Sequence, residues 1–339
     1  MWISRHWSDG KTPAFSWLHL EPLQSGRREF KSRLAHVTSV ILTMAATPER
    51  THFKRSFGQA NHFLVTILVG LNAVKTREAV PPPNLPAAWD PKDARRSADR
   101  SEAFAIQGAL VFLVTALDQY LGEVARLTRP KSIPLAAAID AATKSDKGLR
   151  GRVQAFADFS GASQTAELAL VESAVQWRNR LIHVGSNARF NAELRGQLIE
   201  HTHEYETDYR HLEPDRMIRS FADSAESPSL KEIAGMITAT HRLIRRVDAG
   251  VLATLDYDQY LAGVLCRHLG EVSQDMAHDR ANRMWGRTEG RAGRAILALA
   301  RQSGFTDPTE DTIRGITDTT VTQLAGLSSR KALATFRPS

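Results

Sequence analysis

The sequence predicts an all-α protein. Only 7% of the residues are aromatic, and Ala, Leu, Arg, Glu and Gln dominate every long segment, a composition that favours helices over strands. Apolar residues recur at spacings of three and four, which is the period of an amphipathic helix. The chain has 339 residues, 42% of them hydrophobic. It is therefore long enough for two or three packed units, and a wholly disordered chain is excluded.

The N-terminal part is predicted to hold an extension and then a basic helix. Residues 1–50 show no sustained apolar period, so the sequence leaves their order open. Met44 offers a second start for the chain, in which Thr47 caps a helix with Pro48 at its first position. The basic helix is assigned to residues 51–80, where the apolar spacing predicts a helix from Phe53 to Glu78.

The clearest boundary in the chain follows this helix. Residues 81–86 read Pro-Pro-Pro-Asn-Leu-Pro. A helix cannot continue through them, because proline lacks the amide proton and restricts the residue before it. We therefore predict a stiff, extended linker over residues 81–100.

A helical bundle is predicted over residues 101–225, and a C-terminal helical domain over residues 229–339. A long helix from Ser101 to Leu127 opens the bundle and is stopped by Pro130 and Pro134. The remaining helices are predicted at about 135–143, 148–159, 163–183, 189–209, 213–224, 229–246, 250–285, 290–303, 309–316 and 319–335.

Positive charge is concentrated at the two ends of the chain. Residues 1–80 hold 11 basic and 5 acidic side chains, residues 81–229 hold 18 and 20, and residues 230–339 hold 15 and 12. A pI near 9.7 fits a partner rich in phosphate. Arg50, Lys54 and Arg55 are the candidate nucleic-acid-binding residues, and the alternative is a basic face that is only solvated.

Cysteine content and hydropathy bear on the compartment. The single cysteine, Cys266, excludes an internal disulfide and a zinc site built on Cys-x-x-Cys, which is typical of a reducing compartment. Charged residues interrupt the N-terminus, so a signal peptide is not predicted. The most apolar stretches, 63–71 and 109–117, are shorter than the ~20 residues that cross a bilayer. We expect a soluble, cytoplasmic protein without a membrane partner.

The residues most informative about chemistry lie at the end of a predicted amphipathic helix, where positions 177–185 read Trp-Arg-Asn-Arg-Leu-Ile-His-Val-Gly. Arg178 supplies a permanent cation, and His183 is a group that titrates near neutrality. Asn179 lies four residues before His183 and so shares its helix face. Side chains of these three types can act together on one phosphate group of RNA. Cleavage of RNA without metal needs a base, an acid and a cation that stabilises the phosphorane.

This segment resembles the HEPN superfamily, whose ribonucleases carry Arg, four to six residues, then His, frequently with Asn after the Arg. Arg178, Asn179 and His183 match that pattern. Looser matches at Arg195/His201 and Arg55/His62 lack the Asn.

The resemblance covers about residues 101–225 and implies an up-and-down four-helix bundle. Its first long helix bears an inward acidic residue, for which Asp118, with Tyr120, is the candidate; Arg180 is a further supporting residue. It implies a metal-independent endoribonuclease without a cofactor, acting as a homodimer in which two motifs form one cleft. RNA would then be cut by its own 2′-hydroxyl, leaving a 2′,3′-cyclic phosphate and a 5′-hydroxyl.

Members of this kind are toxins or abortive-infection effectors of antiviral defence, so a regulatory partner or antitoxin is also implied. Position 185 is Gly, where one branch of the family has Tyr, and regulation through that tyrosine is not supported. The structural alternative is that Arg178 pairs with Glu172 or Asp118 and that His183 is held at the helix end by the dipole. The functional alternative is a non-catalytic nucleic-acid-binding or regulatory protein of the same fold.

Two further patterns concern metal binding and DNA binding. His201 and His203 have ligand types but point about 200° apart on a helix, so no metal site is predicted. Residues 321–333 are similar to the helix-turn-helix of repressors, with an ordinary helical hairpin as the alternative. The glycine-rich and nucleophile motifs of P-loop ATPases, Rossmann enzymes and elbow-type serine hydrolases are absent from the sequence.

Overall fold

The described part of the chain is almost entirely helical, which confirms the predicted all-α class. The computed structural model describes residues 40–80, 82, 84, 91–126, 133–145, 148–183, 188–222, 227–286, 288–309, 312 and 314–337. Predictions for residues 1–39 lie outside these residues. All of the described residues belong to one compact unit, Thr38–Ser339.

The predicted basic helix is two helices, α1 (Pro48–Phe57) and α2 (Ala60–Lys75). The Thr47 hydroxyl caps α1 by accepting the Arg50 amide at 3.2 Å, as the sequence predicts. The prediction of a single helix from Phe53 to Glu78 was wrong, because α1 ends at Gly58. A Cβ at Gly58 would lie 2.4 Å from the Lys54 carbonyl oxygen, so only glycine fits this turn.

The long helix α3 (Ala94–Ala125) begins earlier than predicted. Its N-cap is Asp93, whose carboxylate accepts the Arg96 amide at 3.0 Å. The predictions that the linker ends at residue 100 and that the long helix begins at Ser101 were therefore wrong. The cap lies only a few residues after the last proline, and the helix follows it at once.

The next six helices mostly fall where the apolar period places them. They are α4 (Ile133–Lys144), α5 (Gly148–Phe159), α6 (Ala166–Ile182), α7 (Ala192–Glu200), α8 (Thr202–Asp208) and α9 (Pro214–Ala222). The bounds predicted for α5 are confirmed, whereas the helix predicted over 189–209 is divided into α7 and α8 at His201.

The helix α10 (Leu230–Thr254) completes the main core. It packs along α6, and it also contacts α3 and α1. Asp248 contacts Thr47 at the start of α1, and His241 contacts Phe53 further along, so α1 and α10 are antiparallel. The predicted boundary near residue 225 therefore does not separate two units, because α10 belongs to the core of the bundle.

Four helices, α1, α3, α6 and α10, thus surround one apolar core. Since Phe53 contacts Tyr120 and Phe57 contacts Phe112, α1 is also antiparallel to α3. Glu167 at the start of α6 pairs with Arg246 late in α10, so those two helices are antiparallel as well. In the order α1, α3, α6, α10, each helix therefore runs opposite to its neighbours.

The C-terminal part packs on this core through five more helices and a small sheet. The helices are α11 (Tyr257–Gly270), α12 (Gln274–Trp285), α13 (Glu289–Gln302), α14 (Asp318–Ala325) and α15 (Ser329–Phe336). The strand β1 (Val40–Leu42) pairs antiparallel with β2 (Ile316–Thr317). The helix predicted over 309–316 was wrong, since Ile316 pairs with Leu42 and Gly315 lies against the Leu42 carbonyl, where a Cβ would sit at 2.1 Å.

Candidate functional site

The helix α6 is buried along most of its length and reaches the surface at its last turn. Thr165 caps its start, and each residue from Ala166 to Val175 is buried. Arg178, Asn179 and Arg180 are half-buried, and His183 is exposed. The apolar body of α6 therefore fixes the position of the polar residues at its end.

His183 is the residue at which the chain leaves α6. Its backbone is extended, with φ −109° and ψ 103°, and its amide donates to the Asn179 carbonyl at 3.2 Å. The imidazole makes no hydrogen bond or ion pair with any described residue. His183 itself is the C-cap of α6.

Arg178 is held beside Asn179. Its Nη1 donates to Asn179 Oδ1 at 3.2 Å, whereas its Nε is shielded from solvent and has no partner among the described residues. Buried side-chain donors without a partner are uncommon and often mark a functional position.

The carboxylates that could have paired with Arg178 are paired with other arginines. Arg150 Nε donates to Glu172 at 2.7 Å, and Arg152 Nη2 lies 2.7 Å from Asp118. Both arginines are on α5, which packs beside α6 and α3. The structural alternative for Arg178, an ion pair with Glu172 or Asp118, is therefore not observed.

Asp118 and Tyr120 do not join the motif. Neither makes a hydrogen bond or an ion pair with Arg178 or His183 within the described residues. Tyr120 is 1% exposed and meets the edge of Phe53. Burial raises the pKa of its hydroxyl well above the usual value, and the carboxylate of Asp248 raises that pKa further. Tyr120 therefore stays neutral in the core on the α1 side of α3.

Arg180 has a packing contact. Its Nη1 donates to the Phe221 carbonyl, and its guanidinium lies 4.9 Å from the centre of the Phe221 ring. Phe221 in turn stacks on Phe190 and meets the edge of Trp177. Arg180 thus attaches the end of α6 to α9 and acts as a positioning residue.

The three predicted RNA-binding residues divide into two kinds. Arg50 is 14% exposed and lies 3.2 Å from Asp248, a fully buried carboxylate that also accepts the Thr47 hydroxyl at 2.5 Å. Arg50 is therefore used in the core, and its assignment to nucleic-acid binding is corrected. Lys54 and Arg55 are exposed.

A polar cavity of about 510 Å³ was missed by sequence reasoning. Glu49 and His52 of α1, Glu123 and Arg126 near the end of α3, and Tyr260 and Arg267 of α11 line it. His52 Nδ1 lies 3.0 Å from Glu123, and burial raises the pKa of Glu49. Glu49 and His52 are three residues apart, as are Glu123 and Arg126, whereas Tyr260 and Arg267 are seven apart. Only the tertiary arrangement of α1, α3 and α11 brings these three pairs around one cavity.

The structure also shows the surroundings of the histidines near residue 201 and of the segment that is similar to a helix-turn-helix. His201 lies 3.2 Å from Glu204, and no group of three or more potential metal ligands occurs in the part of the chain described. In the segment similar to a helix-turn-helix, Gly326 follows α14 and Ser328 caps α15. Ala332 and Phe336 of α15 are buried, while Arg330 and Lys331 are exposed.

Comparisons with known proteins add no assignment. No protein-family model matches the chain, and neither a curated protein nor a solved structure is significantly similar to it.

Proposed function

We propose that this protein is a metal-independent endoribonuclease of the HEPN type, with Arg178, Asn179 and His183 as its catalytic residues. The observation that carries the proposal is the end of α6, where a buried helix presents an exposed imidazole, without a hydrogen-bond partner among the described residues, one turn after an Arg–Asn contact. The antiparallel arrangement of α1, α3, α6 and α10 supports a bundle of this general kind. The bundle differs from the expected one, because α1 and α10 lie outside residues 101–225.

The chemistry assigns a separate role to each side chain. The His183 imidazole exchanges a proton, either taking it from the 2′-hydroxyl or giving it to the leaving 5′-oxygen. The Arg178 guanidinium stabilises the negative charge that develops on the phosphorus-bound oxygens. Asn179 holds that guanidinium through the 3.2 Å contact with Nη1. The products are a 2′,3′-cyclic phosphate and a 5′-hydroxyl.

Each copy of the motif supplies one histidine, His183, whereas the reaction uses an acid and a base. The proposed enzyme is therefore a homodimer in which two copies of the α6 end face each other across a twofold axis, the commonest symmetry of oligomers. Lys54 and Arg55 add sequence-independent affinity for RNA. Such an enzyme acts in the cytoplasm as a toxin or antiviral defence effector, under the control of a regulatory partner.

The test is RNA cleavage by the purified full chain in the presence of EDTA. His183→Ala and Arg178→Ala are each expected to lower the rate by ~10²- to 10⁴-fold, and the wild-type product should end in a cyclic phosphate. Arg195→Ala and His203→Ala are matched controls, since both residues are exposed and lie outside α6. Equal activity of all four variants, or loss of activity only on removal of metal, contradicts the proposal.

A DNA-binding regulator is the second candidate, and the exposure of α15 favours it. One face of α15 is fixed by Phe336, which stacks on Trp285, and the other face presents Arg330 and Lys331. A recognition helix needs this division between a packed face and a basic face. The regulator would shift a DNA fragment and leave RNA intact, and Arg330→Ala with Lys331→Ala would abolish the shift.

A further inference from the structure

The helix α2 is covered by protein on only one side, and its uncovered surface mixes large apolar side chains with the uncharged polar residues Asn61, His62, Thr66 and Asn72. No Asp, Glu, Lys or Arg occurs between residues 60 and 74. Only Ala60 and Leu64 of α2 are buried. Phe63, Val65, Ile67 and Val69 are 56%, 51%, 48% and 67% exposed. Four large apolar side chains exposed on one helix are typical of a surface that meets a partner or lipid.

The exposed apolar surface continues onto α3. The two helices are antiparallel neighbours, because Lys75 at the end of α2 pairs with Asp99 and Glu102 near the start of α3. Phe104 and Phe112 of α3 are 77% and 51% exposed. With Phe63, these rings leave roughly 300–450 Å² uncovered, and the aliphatic residues of α2 enlarge a patch already typical of interaction sites. Phe63 and Ile67 lie on one flank of α2, and Val65 and Val69 lie on the other. We call these four residues, together with Phe104 and Phe112, the α2–α3 face.

Basic side chains border this face at both ends. Exposed Lys54 and Arg55 precede α2, and Arg77 follows it, together with exposed Arg95, Arg96 and Arg100 in the first turns of α3. Residues 75–102 hold six basic and five acidic side chains, and two of the acidic ones, Asp99 and Glu102, pair with Lys75. The excess of positive charge is therefore small at this end, and Lys54 and Arg55 form the more basic border. Two copies packed antiparallel through α2 would place the basic end of one beside the basic end of the other. The charge pattern instead complements an anionic surface.

The dimensions fit a helix that lies on a bilayer better than one that crosses it. Within the described residues, Pro48–Lys75 and Ala94–Ala125 are long and apolar enough to meet a length and composition criterion for membrane spans. The first of these is broken at Gly58, however, and α2 has 16 residues, roughly 24 Å at 1.5 Å per residue. The hydrocarbon core measures about 30 Å.

We propose that the α2–α3 face binds the surface of membranes that contain anionic phospholipids. The apolar side chains enter the boundary between headgroups and acyl chains, and the basic side chains at both ends contact the lipid phosphates. The sequence-based expectation excluded a membrane partner because no apolar stretch is long enough to span. Binding at the surface requires only an exposed apolar face with basic borders.

The experiment is co-sedimentation of the full chain with vesicles of phosphatidylcholine, with and without phosphatidylglycerol. The protein should sediment with the mixed vesicles, and less of it as salt is raised. Ile67→Asp combined with Val69→Asp should weaken binding by about tenfold or more, because two apolar contacts are lost and two anions face the lipid. Lys54→Glu with Arg55→Glu should abolish the preference for phosphatidylglycerol.

Ile199→Asp is the matched control, since Ile199 is 44% exposed on α7, outside the α2–α3 face. It should bind like the wild type, and circular dichroism of every variant checks folding. The proposal fails if the wild type ignores mixed vesicles, or if the Ile67/Val69 variant binds them equally. It also fails if the wild type binds no vesicles and the Ile67/Val69 variant instead dissociates a dimer. It fails as well if the Lys54/Arg55 variant keeps its preference for phosphatidylglycerol and loses only affinity for RNA.

Discussion

At the residue scale, the buried carboxylate of Asp248 shows why Arg50 differs from its basic neighbours. Asp248 has 0% exposure and accepts the Thr47 amide, the Thr47 hydroxyl and Arg50 Nη1. A charge removed from water needs such partners, because desolvation is costly. The sequence shows Arg50 beside Lys54 and Arg55, but the carboxylate that distinguishes it lies 198 positions away.

Arg50→Ala is expected to destabilise the protein. It leaves the Asp248 charge buried without its cation, and breaking such a pair costs about 3–5 kcal/mol in the free energy of unfolding. Urea denaturation measures the change. Arg283→Ala, which breaks an exposed pair with Asp279, should alter stability by less than ~1 kcal/mol. If Arg50→Ala were as harmless as this control, Arg50 would not be a structural residue.

His241 should make stability depend on pH. It packs against Phe53 and Phe57, and burial lowers its pKa below 6.5, with Lys54, Arg245 and Arg50 lowering it further. The unfolded chain then binds a proton near pH 6.5 that the folded protein does not bind. Stability is therefore present above pH 6.5 and is lost as the pH falls through that value toward the lowered pKa.

His241→Phe should remove this part of the pH dependence while keeping the aromatic contacts. Thermal denaturation between pH 8 and pH 5 measures it: the midpoint of the wild type should fall more steeply below about pH 6.5 than that of the variant. His203→Phe controls for the loss of an exposed histidine. Parallel curves for the wild type and His241→Phe would assign the pH dependence to other groups.

At the element scale, caps decide where helices begin, and several are visible in the sequence. Ser229 caps α10, and its hydroxyl accepts the Glu232 amide at 3.3 Å while Glu232 Oε2 accepts the Ser229 amide at 2.6 Å. The start predicted at 229 was close for this reason. The helix predicted over 250–285 was wrong, because Asp256 and Ser273 cap two separate helices within it.

Ser229→Ala should destabilise the bundle by about 1 kcal/mol, the usual cost of an N-cap. The effect reaches the whole unit, since α10 packs on α6, α3 and α1. Chemical denaturation gives the value, and Ser229→Asp, which retains an acceptor, should recover most of it. An alanine variant with wild-type stability would mean that packing alone fixes the start of α10.

At the scale of the whole molecule, the core joins segments that are distant in the chain. The helix α6 is covered by α10 on one side and by α3 and α5 on others, and α1 closes the space between α3 and α10. Residues 101–225, predicted as a complete bundle, therefore lack α1 and α10. Loss of these helices uncovers part of α6, which packs along α10 and is buried from Ala166 to Val175 in the full chain.

A fragment of residues 101–225 is accordingly expected not to fold cooperatively. Its exposed apolar surface should bind a hydrophobic dye, and its urea transition should be broad. A fragment of residues 40–339 retains every described core helix and should unfold in a single sharp transition. If the short fragment unfolded as sharply as the long one, the bundle would be independent of α1 and α10.

The sequence by itself determined the all-α class, the bounds of α5, the Thr47 cap and the position of the Arg-Asn-Arg-Leu-Ile-His segment at a helix end. These are local properties, set by apolar period and capping chemistry within a few residues. Tertiary structure alone decided that Arg50 pairs with the buried carboxylate of Asp248, that Tyr120 makes no contact with His183, and that α10 completes the bundle. It also decided that α2 keeps an apolar face in solvent. Such outcomes depend on which distant side chains meet, and neither spacing nor composition encodes that within one segment.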